Sequence, residues 1–241
     1  MTKKTEPKMS ELLYERKNFF KEAPQAERDK AFEYAKGFKT FLDECKTVRE
    51  TVAWTEDVLK KHKFTTVDAK TAKDKVYTIF RGKTMAMAIL GSEPLSKGCN
   101  LVAAHIDTPR IDLKQNPLYE DGPSGMLCGR THYYGGIKKY QWVSTPLALH
   151  GVVIKADGEV VDISIGEQDD DPVFVIPDLL PHLARKEQYS KNLGDAINAS
   201  KLNVIFGGMH DLDKDEKQGL KLYCVKLLNE RYGIDENDFL S

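Results

Sequence analysis

No stretch of this 241-residue chain approaches the roughly 20 consecutive apolar residues that a membrane-spanning helix needs. Its first residues, Met1-Thr2-Lys3-Lys4-Thr5-Glu6-Pro7, also lack the hydrophobic core of a secretion signal. A cytoplasmic location with no membrane partner is the expectation. Charge imbalance is missing as well: 36 Lys and Arg against 37 Asp and Glu leave a net charge of −1, which offers nucleic acid no attractive field. The run Lys60-Lys61-His62-Lys63 has no aromatics around it and reads as a solvated helix end. Four scattered cysteines, Cys45, Cys99, Cys128 and Cys224, form no C-x-x-C pair, so reduced thiols filling apolar gaps are expected. The chain has no G-x-G-x-x-G, no P-loop and no G-x-S-x-G, which argues against nucleotide binding and serine chemistry. The acidic stretch His210-Asp211-Leu212-Asp213-Lys214-Asp215-Glu216 fails as a calcium loop, because the sixth and twelfth positions are Glu216 and Leu222 instead of Gly and Glu. Asp169-Asp170-Asp171 reads as a loop tip.

What is present is a soluble composition, 41% hydrophobic and 30% charged, with clear periodicity. Ala31, Tyr34, Ala35, Phe38, Phe41, Leu42 and Cys45 recur at three and four, predicting a helix over 27–45 whose stripe packs on a sheet. A second helix is expected over 51–61, and two strands over 76–81 and 84–90 joined by Gly82-Lys83 as a hairpin. Residues 115–136, rich in Gly and Pro, read as a loop-rich boundary. Asp157-Gly158 between the apolar runs 146–155 and 159–165 is the strongest hairpin signal in the chain. Short apolar runs at 173–176 and 202–206, helical stretches near 179–184 and 193–199, and a last helix stopped by Gly233 complete the reading.

The richest segment is 101–114. Leu101-Val102-Ala103-Ala104 runs into His105, Asp107 and a Thr108-Pro109-Arg110 turn, which reads as a buried strand delivering polar groups at its C-terminal end. His105 and Asp107 alternate onto one face, a placement that suits an imidazole metal ligand and its companion carboxylate. The same two residues would equally serve as strand-end caps of a turn, and H-x-D alone does not choose. Arg110 is placed to pair with Asp112.

The longer string does choose. His105-Ile106-Asp107-Thr108-Pro109-Arg110, continuing through Asp112-Leu113-Lys114-Gln115-Asn116-Pro117-Leu118-Tyr119-Glu120-Asp121, resembles the first metal-site segment of the M18 metallo-aminopeptidases, the aspartyl aminopeptidase type. The resemblance extends through Thr131-His132-Tyr133-Tyr134-Gly135-Gly136, Pro146-Leu147-Ala148-Leu149-His150-Gly151 and Ile176-Pro177-Asp178-Leu179-Leu180-Pro181-His182. It implies an α/β fold: a partial zinc-peptidase-like domain over 1–114, a strand-rich inserted dimerisation domain over 115–235, and the start of a return to the catalytic domain over 236–241. It also implies two divalent ions per complete site, zinc with manganese or cobalt as alternatives. His105 would be a metal ligand, Asp107 a catalytic companion, and His182 a catalytic residue sent into a neighbouring subunit. His132 and His150 read as sheet or loop residues. Peptides would be the substrates and a dimer-based homo-oligomer, dodecameric in the resembling family, the assembly.

Of the residues such a site needs, only the match to His105 lies in this chain; the bridging aspartate, the paired glutamates and the last histidine would be supplied elsewhere. A fragment or truncated form is therefore expected. The rival from another class is a non-catalytic assembly or regulatory subunit that dimerises through 115–235. A second is a hydrolase of the same metal clan, such as an aminoacylase or carboxypeptidase.

Overall fold

In the computed structural model residues 13–208 and 219–239 are described. The chain divides into two units, one up to Cys45 and one from Lys46 onward. The acidic stretch 210–216 lies outside the described residues.

The first unit is helical. A one-turn helix α1 (Phe19–Glu22) is capped by Asn18, whose side chain accepts the Phe20 N–H. It is followed by α2 (Gln25–Glu44), close to the helix expected from the three-four spacing. Within this unit Phe38 and Phe41 of the stripe stack on each other at 6.0 Å. Periodicity reports that one face is apolar; it does not supply the surface that covers it.

The second unit opens with α3 (Val48–Lys61), which starts three residues earlier than its apolar positions suggest. The start is set by a capping box. The Thr47 hydroxyl accepts the Glu50 N–H, and the Glu50 carboxylate accepts the Thr47 N–H at 2.7 Å. Val52 and Leu59 are buried on one face, and Glu56 on α3 accepts a 2.8 Å hydrogen bond from the Tyr77 hydroxyl. Tyr77 belongs to β2 (Lys75–Phe80), which pairs in parallel with β1 (Thr65–Thr66) and antiparallel with β3 (Thr84–Ile89). Arg81 and Gly82 both take positive φ in the connecting turn, as the Gly82-Lys83 signal anticipated.

Two expectations are corrected in the next stretch. Residues 101–109 form no strand; Leu101 and Val102 are 87% and 92% exposed. A buried strand requires ladder partners and cover on both faces, and no described strand pairs with this segment. Residues 115–136 are not a loop-rich passage either. Strand β4 (Arg110–Asp121) runs across position 115 and pairs antiparallel with β5 (Met126–Tyr134). The Pro and Gly residues that suggested a loop are absorbed by special positions. Asn116 (φ +48°) and Pro117 sit in the irregularity between Leu113 and Leu118, and Gly125 turns the hairpin.

The hairpin β6 (Leu149–Ile154) and β7 (Val160–Ile165) turns at Asp157-Gly158 as expected, with Gly158 at φ +91°. Beyond it lie α4 (Pro181–Glu187), α5 (Leu193–Ala196), β8 (Val204–Gly207), which pairs with β5, and α6 (Gly219–Tyr232). Gly233 (φ +65°) closes α6 by donating to the Asn229 carbonyl. The core gathers Ile163 and Ile165 of β7, Phe174 and Ile176, Leu202 and Val204, and Ile234 beyond α6. Phe206 packs tilted against Phe174 with ring centroids 5.0 Å apart and lies over Gly129, where a Cβ would collide with its ring. The turn after β7 is clamped by Asp171, whose carboxylate receives Arg231 at 2.7 Å and the Gly166 N–H at 2.9 Å. These bonds hold Asp171 down to about 2.

Candidate functional site

The His105 segment is exposed coil, yet it is not left loose. Arg110, the first residue of β4, holds Asp107 through Nη1–Oδ1 at 2.7 Å and Asp112 through Nε–Oδ1 at 2.7 Å. Its guanidinium plane also lies 4.1 Å from the centroid of the Tyr134 ring. The expected Arg110–Asp112 pair is therefore present, and it is shared with Asp107. The Thr108 hydroxyl donates to the Lys46 carbonyl at 3.1 Å, fastening the segment to the start of α3. His105 lies just before these anchors and is exposed; no hydrogen bond joins its ring to Asp107.

His182 sits in the first turn of α4, one residue after Pro181, which suits that position because its missing N–H would find no helical partner. The imidazole is exposed, and no hydrogen bond or ion pair of the described residues links it to His105 or Asp107. His132 faces Asp112 across the β4–β5 ladder and contacts Tyr133 with ring centroids 5.9 Å apart.

His150 departs most from what its sequence context suggested. Its Nδ1 lies 2.8 Å from Glu50 Oε1 and its Nε2 lies 2.8 Å from Glu167 Oε1, with the side chain 10% exposed. The signal that was available is the Thr47-x-x-Glu50 capping box, which marks Glu50 as a fixed carboxylate; no sequence spacing connects it to position 150.

Zinc takes three or four protein ligands, and among the described residues no group of three or more His, Cys, Asp or Glu side chains could hold a metal ion. His105 and Asp107 fit the start of a donor set and do not complete one. The four cysteines are free: burial raises Cys224 to about 11, and Cys128 is raised by the same cause, so neither is a thiolate candidate.

Solved structures superpose on this chain and give it the α/β fold seen in M18 aminopeptidase structures. The crystal structure of the M18-family aminopeptidase from Thermotoga maritima matches with a TM-score of 0.84 and 39% identity, covering 95% of this chain and 49% of that one. A more distant likeness, 19% identical with a TM-score of 0.58, is to the S. cerevisiae mApe1 dodecamer, covering 84% of this chain and 45% of that one; it bears on the fold alone. Residues 41–241 match the family described as "Aminopeptidase I zinc metalloprotease (M18)", and the chain belongs to that family. A probable M18 family aminopeptidase 1 from Clostridium acetobutylicum is 44% identical over 239 residues, covering 96% of this chain and 51% of the relative. The chain thus spans about half the length of the curated relatives it matches. No helix among the described residues is long and apolar enough to cross a membrane.

Proposed function

We propose that this chain contributes the opening part of a zinc-dependent aminopeptidase that removes N-terminal residues from peptides. His105 serves as one metal ligand and Asp107 as the carboxylate beside it, while His182 reaches substrate in a neighbouring subunit of a homo-oligomer. The observation that carries the reading is an exposed histidine two residues from a carboxylate that Arg110 already orients, inside the stretch matched to the family. The carboxylate is fixed by an ion pair and the imidazole is open to solvent, so a ring nitrogen is accessible to an ion arriving from outside the segment. The remaining ligands belong to the half of the relatives' length that this chain does not span. In this reading 1–114 belongs to the catalytic region and 115–235 to an inserted dimerisation region, with β4 crossing from one to the other and 236–241 leading back. The compartment is the cytoplasm.

The test compares the purified chain with the same chain fused to the second half of the Clostridium acetobutylicum relative, for zinc retained after dialysis and for release of N-terminal residues from short peptides. The chain alone is expected to retain no tight zinc and to turn over no peptide, and the folded fusion to do both. A folded fusion that neither holds zinc nor cleaves peptides overturns the proposal.

A further inference from the structure

His150 joins three parts of the second unit. Its own strand is β6, Glu167 follows β7, and Glu50 lies in the first turn of α3. Both ring nitrogens lie at hydrogen-bond distance from a carboxylate oxygen. A neutral imidazole carries one N–H and one lone pair, and an ionised carboxylate only accepts. A neutral ring in this position would set a nitrogen lone pair against a carboxylate oxygen, with little water able to intervene at 10% exposure. Only the doubly protonated ring donates to both partners.

The far side of Glu50 continues the connection. Its Oε2 accepts the backbone N–H groups of Lys46 at 3.0 Å and Thr47 at 2.7 Å, and the Lys46 carbonyl in turn accepts the Thr108 hydroxyl. Thr108 is the residue after Asp107. We propose that His150 is a positioning residue, held as an imidazolium between Glu50 and Glu167, that sets the start of α3 and through it the segment carrying His105 and Asp107. The functional consequence rests on the reading of those two residues given above; the linkage itself does not.

Burial pushes the Glu50 carboxyl upward, but hydrogen bonds from His150 and Thr47 and the attraction of the imidazolium outweigh it and hold the group below its ordinary value. The titratable partners of the ring among the described residues are Glu50 from α3 and Glu167 from the turn after β7. Across the β6–β7 ladder stands Ser164, which does not titrate, and the Asp171–Arg231 pair holds the backbone of the turn. A ring with a single N–H can donate to only one of the two carboxylates, and Glu50 is the better anchored of them because its other oxygen accepts two backbone N–H groups.

The test is nitrogen-15 NMR of the full chain, in a His105→Asn background so that position 105 contributes no titration of its own. At neutral pH both ring nitrogens of His150 are expected to carry protons, and the backbone signals of residues 106–108 to shift with the same midpoint as the His150 ring. Glu167→Gln is expected to convert the ring to a neutral tautomer at neutral pH while leaving the chain folded. His150→Gln, which can donate on one side only, is expected to abolish the titration step at 106–108. A neutral His150 ring at neutral pH overturns the proposal, as does a protonated ring whose titration leaves 106–108 unmoved. Neither result touches the zinc reading of His105, because no metal enters the measurement.

Discussion

Replacing His105 with Ala in the fused, family-length chain lowers kcat/KM for N-terminal peptide hydrolysis by about 10³-fold or more, equivalent to losing roughly 4 kcal/mol of transition-state stabilisation. The size follows from ligand count. With three or four protein ligands to a zinc ion, loss of one imidazole weakens both retention of the metal and its geometry. Asp107→Asn is expected to cost less, about 10–100-fold, as is usual when a group supporting a ligand is changed. The two can be told apart from a folding defect because His105 is exposed and its ring makes no hydrogen bond among the described residues. Matching thermal unfolding of the variant and parent fusions would check this, and unchanged kcat/KM for His105→Ala would remove the residue from the site.

The second large effect is on stability. Leu202→Ala destabilises the second unit by about 2–5 kcal/mol, the range for deleting a fully enclosed aliphatic side chain. Leu202 has no exposed surface and sits among Ile163, Ile176, Val204 and Ile234. Its carbonyl also accepts the buried Thr131 hydroxyl, a bond that the substitution leaves in place, so the loss reports packing alone. Urea unfolding of parent and variant provides the measurement. A change below about 0.5 kcal/mol, the size typical of surface substitutions, would mean that this cluster is not the core.

Local signals carried far into this fold. The Asp157-Gly158 hairpin, the 81–83 turn, the last helix and its Gly233 stop, and the apolar strand around Val204 all lie close to where periodicity and turn chemistry put them. Those features depend on contacts between near neighbours, which the sequence displays directly. The errors share a different cause. Leu101-Val102-Ala103-Ala104 has the composition of a buried strand, but burial is a property of partners, and the described residues provide none. Pro117, Gly125 and Gly129 look like loop formers until the β4–β5 pairing gives them places, such as the Gly129 position against Phe206.

The candidate site divides in the same way. His105, Asp107 and the Arg110–Asp112 pair were legible because they lie within eight residues of one another. The contacts of His150 were not, because Glu50 stands 100 residues away in sequence and only the folded chain brings them together. The capping box at Thr47 and Glu50 was visible in the sequence, and it marks a carboxylate with one oxygen already committed to the backbone. That was the point from which a distant partner could have been sought.

The most direct measurement is a crystal structure of the zinc-loaded fusion. The account predicts a ring nitrogen of His105 at roughly 2.0–2.1 Å from a zinc ion. A zinc ion bound entirely by other residues, with the His105 ring turned away from it, would contradict the account at its centre.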